Sequence, residues 1–289
     1  MIYRRRPSPL HSARAASGSG WCAALAIAAL AVSNPVFLIA VLVAVVAGGA
    51  LAGVGRELGR GLRWALPAAL AITIVNALVT TDGLTVIWRF GNLPVLGYRY
   101  VTAEATVYGA ILGLRAVILI LCGILYTTCV DPDELLMMFR RVSYRSALSA
   151  TLATRLVPLL GRDARRLADA QRCRPGPPPS RAALLRAATS NVLDRALDVA
   201  AALEVRGYAH ARGRAGSGGL RTWSRHDLAF MASALAVATL AIGGRLAGLV
   251  GFDAYPMVSI ATGVGTGALS LAVIVCALAP FADRRGIVR

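Results

Sequence analysis

Lysine is absent: all 31 basic residues of the 289-residue chain are arginine. A phosphate-binding P-loop needs the lysine of GxxxxGK[ST], and a pyridoxal enzyme needs a Schiff-base lysine, so neither can be built here. Acidic residues are scarce as well, 14 in all, and do not make the paired aspartate-rich motifs that bind magnesium. The three histidines (His11, His210, His226) are scattered, which leaves no ligand cluster for a resident metal. The five cysteines (Cys22, Cys122, Cys129, Cys173, Cys276) show no CxxC pairing and lie mostly in apolar stretches. They indicate neither a disulfide framework nor a zinc site.

What is present is apolar and cationic at once: 57% hydrophobic residues with a formal net charge of +17. Polytopic membrane proteins combine the two, because spans supply apolar residues while cytoplasmic loops collect arginine under the positive-inside bias. Residues 1–20, rich in Ser, Gly, Pro and Arg, read as a basic, disordered cytoplasmic tail. Residues 21–130 read as four membrane helices. The first two form a short hairpin broken only by "SNP" at 33–35, since 21–53 is too long for one span of ~20 residues and short for two. "WALPAALAITIVNALVT" makes a third span, residues 80–104 an outer interfacial loop with two aromatic clusters, and 105–128 a fourth span. Two more follow at about 227–249 and 256–281, within a segment 226–282, before a short tail, 283–289. The fold class expected is therefore all-α, with about six transmembrane helices and both termini cytoplasmic.

Residues 131–225 differ, with seventeen arginines, eight acids and no stretch able to cross a bilayer. "DPDE" at 131–134 offers Asp131 as N-cap, Pro132 at the first helical position and Glu134 at the third. A second helix is predicted from Tyr144 until "PGPPP" at 175–179 stops it, and a third over about 180–206. On that third helix Leu185, Thr189, Val192, Ala196, Val199 and Leu203 form one stripe, with Arg195 away from it. Both long helices end in arginine before a helix stop, "AQRCRPG" and "LEVRG". Taken singly, such an ending is explained by the helix dipole and a C′ glycine.

The pair of endings, with "NPVFL" at 34, "NALVTTDGLTVIWRFG" at 76, "TAEATVYGAILGLRAVILI" at 102, "TTCVDPDELL" at 127 and "RLVPLLGRDARRLADAQR" at 155, resembles the T component of energy-coupling factor (ECF) transporters, the EcfT/CbiQ family. The likeness runs over roughly residues 21–250. It implies long amphipathic coupling helices whose terminal Ala-Arg-Gly type motifs dock into grooves on two ATP-binding-cassette (ABC) ATPases. The second motif would be Val205, Arg206 and Gly207, preceded by Glu204; the first would be Arg172, Cys173, Arg174, Pro175 and Gly176. Pro175 interrupts the first and forbids the helical geometry of an uninterrupted Arg-Gly end. The resemblance further implies a non-catalytic subunit of the cell membrane, partnered by the ATPase pair, which binds ATP and magnesium, and by a substrate-binding S component. Its cargo would be a vitamin or a transition-metal ion such as cobalt, with no nucleic acid involved.

Other residues stand out. Arg115 lies in mid-span, where a charge is costly and faces protein or water, and Glu104 could pair with it if the helix start is unwound. Gly263 and Gly267 make a GxxxG spacing that reads as a helix-packing face, and Gly48, Gly49 and Gly53 could admit a partner helix. An alternative reading, a membrane-embedded enzyme acting on a lipid phosphate, would use "DPDE" and nearby arginines, but helix capping already accounts for those acids.

Overall fold

The computed structural model describes residues 6–80, 84–93, 97–139, 144–173, 181–206, 223–253, 259–260 and 263–283. Contacts divide the chain into two compact units, Met1–Pro132 with Arg221–Arg289, and Asp133–Leu220.

The larger unit is a helical bundle. After a single turn α1 (Pro9–Ser12), α2 (Ala15–Ala31) and α3 (Pro35–Leu51) form a hairpin. Asn34 separates them, its side chain accepting from the Val36 N–H at 3.0 Å while Pro35 occupies the first turn of α3. Each helix has 17 residues, about 25 Å of rise, and both are shorter than a complete span. Four helical segments are long and apolar enough to cross a membrane: α4 (Gly55–Val79), α5 (Ala103–Cys129), α9 (Arg225–Leu246), and Val264–Phe281, made of α10 (Val264–Leu278) and a terminal 3₁₀ turn.

At the centre, Trp21 of α2, Phe230 of α9 and Phe281 meet edge to face, with centroids 5.3–5.9 Å apart. The Trp21 indole N–H donates to the Ala277 carbonyl, closing α10 onto α2. Gly48 leaves room for that indole: a Cβ there would lie 2.7 Å from Trp21 Cη2, and one on Gly49 2.5 Å from Leu58. These two glycines serve internal packing, not a partner helix, and Gly53 adopts φ +77° at the turn before α4.

The GxxxG face that packs is Gly109 to Gly113 on α5. A Cβ on Gly113 would stand 2.8 Å from the Ala69 carbonyl oxygen of α4, and one on Gly109 3.0 Å from that of Thr73. The Thr73 hydroxyl lies between them, hydrogen-bonded to the Ala69 and Gly109 carbonyls. A Cβ on Gly263 or Gly267 would meet nothing within 4 Å, so the packing expected of them is absent among the described residues.

Between α4 and α5 the structure has an antiparallel hairpin, β1 (Val86–Leu93) with β2 (Gly97–Thr102), in place of the expected loop. The β-branched and aromatic residues of "TVIW" and "YRYVT" favour extended pairing. Glu104 anchors its base by accepting from the Thr85 N–H at 3.1 Å, so it does not serve Arg115. A smaller pair, β3 (Phe252–Asp253) and β4 (Ser259–Ile260), lies between α9 and α10.

The disordered tail expected at 1–20 is corrected from Arg6 onward. Leu10, Ala13, Ala15, Ser17 and Gly18 are buried, because small residues let this segment close against the bundle. Arg6 pairs with Glu57 and donates to the Gly53 carbonyl. Gly113→Ala should lower the thermal midpoint of the purified protein sharply, an overpacking cost of about 1–3 kcal/mol, because the clash is with backbone. Gly123→Ala, with open space around it, should leave the midpoint unchanged or raised; thermal unfolding followed by size exclusion checks both.

Candidate functional site

The smaller unit carries α6 (Pro132–Phe139, its first residue on the boundary), α7 (Tyr144–Arg172) and α8 (Arg181–Val205). Pro132 opens α6, where its missing N–H is harmless. Arg172 is the last residue of α7, and the exposed Cys173 extends the turn, its N–H donating to Asp169 O at 3.2 Å. Glu204 and Val205 end α8, and Arg206 follows with its N–H still bonded to Ala202 O. All three are exposed, Val205 at 88%, and among the described residues no hydrogen bond or ion pair holds the Glu204 or Arg206 side chains. Arg174, Gly176 and Gly207 lie outside the described residues.

An ion pair between Asp163 and Arg195, 3.0 Å long, marks where α7 meets α8. It lies nine residues before Arg172 and eleven before Arg206, so at 1.5 Å per residue the two arginine ends stand about 14 and 16 Å from it. Being partly exposed, the pair is worth at most about 1 kcal/mol and defines a register more than it adds stability. Among the described side chains of the apolar stripe expected on α8, Thr189, Val192 and Ala196 are exposed while Val199 and Leu203 are half-buried, together with Arg195. Leu193 and Leu197 are 64% and 62% exposed on the same helix. An α-helical pair that leaves this much apolar surface uncovered has the character of an interaction surface.

In the larger unit, Arg115 faces protein, as a mid-span charge should, but does not pair with Glu104. Its guanidinium donates to Ala29 O (3.0 Å), Val32 O (3.2 Å) and Ser33 Oγ (3.0 Å), and Arg245 donates to Ala31 O. Two arginines thus take up the carbonyls that the end of α2 leaves open. The partners of Arg115 lie 82 to 86 residues away and that of Arg245 lies 214 away, which no local pattern announces.

The start of α9 lies within two residues of the span expected at about 227, and "SRHD" carries a capping signal that the sequence reading did not use. Ser224 and Asp227 form a capping box, and the buried Asp227 carboxylate also accepts from the Arg14 N–H at 2.6 Å. The Arg14 guanidinium sits 5.2 Å from the Trp223 ring centroid, with Nε 3.8 Å from Asp227. Nearby, Ser8 Oγ and His11 Nδ1 are 2.7 Å apart, and the His11 ring is buried. Among the described residues no group of three or more His, Cys, Asp or Glu is placed to hold a metal.

Four membrane-length helices, two shorter apolar ones and a pair of helices with open apolar faces define a multi-pass α-helical membrane protein. Residues 7–215 match the model of the CbiQ family, described as cobalt transport protein, and the chain belongs to that family. It is therefore a membrane component of a multi-subunit cobalt-type transport system. The match takes in the N-terminal segment from Pro7 and stops before α9, unlike the span of 21–250 read from the sequence. No curated protein matches the sequence.

Burial, aided by the charge of Arg6, holds the His11 pKa below its ordinary value of 6.5, against the opposing hydrogen bond to Thr128. The folded state thus binds the proton less readily than the unfolded chain, so stability is complete above about pH 6.5 and falls as pH drops below it. In thermal unfolding at several pH values, His11→Gln should flatten that acid-side loss.

Proposed function

We propose that this chain is the transmembrane coupling subunit, the T component, of an ECF-type importer. Two separate ABC ATPases supply the energy, and a separate S component in the membrane holds the cargo, a transition-metal ion such as cobalt or a vitamin. The observation that carries this reading is the helix pair α7 and α8, which meet at Asp163–Arg195 and end in arginines at nearly equal distances from that point. Two ends suit two ATPases.

A guanidinium on an exposed helix end can enter a cleft and make paired hydrogen bonds to carboxylates or carbonyls, which a flexible ammonium does less well. Arg206 is the principal plug, flanked by Glu204, the exposed Val205 and Gly207. Arg172 and Arg174, with Gly176, form the second, which Pro175 reshapes. The uncovered leucines and valine of α8 supply the apolar surround that such a contact buries. ATP and magnesium belong to the ATPases, because a lysine-free chain cannot form a P-loop. Under the positive-inside bias the arginine-rich module and both termini lie in the cytoplasm.

Arg206→Glu should abolish copurification of the ATPase pair and uptake together, since reversing a buried, hydrogen-bonded interface charge costs more than the ~2–5 kcal/mol of truncating it. Pull-down from membranes and uptake of labelled cobalt or vitamin measure it; normal assembly and uptake would refute the docking role of Arg206.

A further inference from the structure

The smaller unit is connected to the bundle by two chain crossings, one after Pro132 and one at Arg221. Within the bundle, residues 8–18 touch both connections. On the outgoing side, a Cβ on Gly18 would lie 3.5 Å from Val130 Cγ2, and the buried His11 ring lies against the Thr128 backbone. On the returning side, Asp227 accepts from the Arg14 N–H, and the Arg14 guanidinium covers the Trp223 ring. Arg6, a little earlier, is fixed to the turn between α3 and α4 through Gly53 and Glu57. The same residues continue directly into α2, whose Trp21 is the centre of the bundle core.

The returning contact is not saturated. Arg14 Nε is buried without a hydrogen-bond partner, 3.8 Å from the Asp227 carboxylate, too long for a hydrogen bond yet within range of an ion pair. A buried donor without a protein partner leaves that joint less tightly held than the Arg14 N–H contact beside it. Trp223, 61% exposed, lies two residues beyond the returning boundary at Arg221 and its ring faces the guanidinium.

We infer that residues 8–18 form a bracket that gathers both crossings and passes displacement of the helix pair into α2, with Arg14 and Trp223 as positioning residues at the returning crossing. This rests on the coupling reading above, and it assigns the N-terminal segment a part in transport that the arginine helix ends do not have. The ATPases are engaged at the helix ends, so loosening the bracket should leave assembly and hydrolysis in place while separating hydrolysis from transport.

The test uses the whole transporter in proteoliposomes, measuring cargo taken up per ATP hydrolysed. Trp223→Ala and Arg14→Ala should keep the ATPase pair bound and active while the ratio falls roughly 2- to 30-fold, the range for mutations along a coupling route. Arg14→Lys, which keeps a cation over the indole, should restore much of the ratio; a purely structural role would show as lost assembly in proportion to lost uptake. Should Arg14→Ala not fold, Trp223→Ala carries the test, because an exposed ring can be removed without opening the core. An unchanged ratio in the Trp223 variant, while Arg206→Glu blocks assembly, overturns the bracket alone. Absence of any ATPase pair from the purified wild-type complex overturns the coupling reading and the bracket with it, whereas normal assembly of Arg206→Glu refutes only the docking role of Arg206.

Discussion

A helix that ends inside a bundle leaves carbonyls with no intrahelical partner, and in hydrocarbon no water can serve them. The bundle meets this constraint at the end of α2, where Arg115 and Arg245 reach from α5 and α9 to the Ala29, Ala31 and Val32 carbonyls and the Ser33 hydroxyl. Because those atoms are served by guanidinium groups, α2 can stop at 17 residues and the chain can turn back into α3. The three helices that meet there are thereby held in longitudinal register. A mid-span charge, costly by itself, becomes the fastener of the bundle.

Register at one end determines what the other end can build. With α2 and α9 fixed by Arg245 at Ala31 and by Asp227 at Arg14, Trp21, Phe230 and Phe281 fall into one layer. The close glycine contacts then divide the work. Gly48 and Gly49 admit Trp21 and Leu58 side chains, whereas Gly109 and Gly113 admit the α4 backbone itself. The first kind is packing by volume and the second is packing by hydrogen bond, through the Thr73 hydroxyl.

Much of this was legible in the sequence, and what was not has common physical causes. The long helices were readable because their stops are local: Pro177 and its neighbours end one stretch, and Gly207 follows another that runs Arg181–Val205. The arginine ends of α7 and α8 were visible for the same reason. The N-terminal segment was misread because Ser, Gly and Ala are the residues of flexible tails and also of close helix contacts, and only the neighbour decides between them. Likewise GxxxG spacing occurs at 109–113 and at 263–267, but only the first meets α4. Partners of Arg115 and Asp227 lie 83 and 213 residues away, beyond the reach of any local pattern.

The junction of α7 and α8 has a consequence of its own. Among the described residues the Asp163–Arg195 ion pair joins the two helices, and Leu193 and Leu197 on α8 stay exposed. The pair is a lever of nearly equal limbs. One degree of rotation about Asp163–Arg195 carries each arginine end about a quarter of an ångström, so a ten-degree change sweeps it about 2.5 Å.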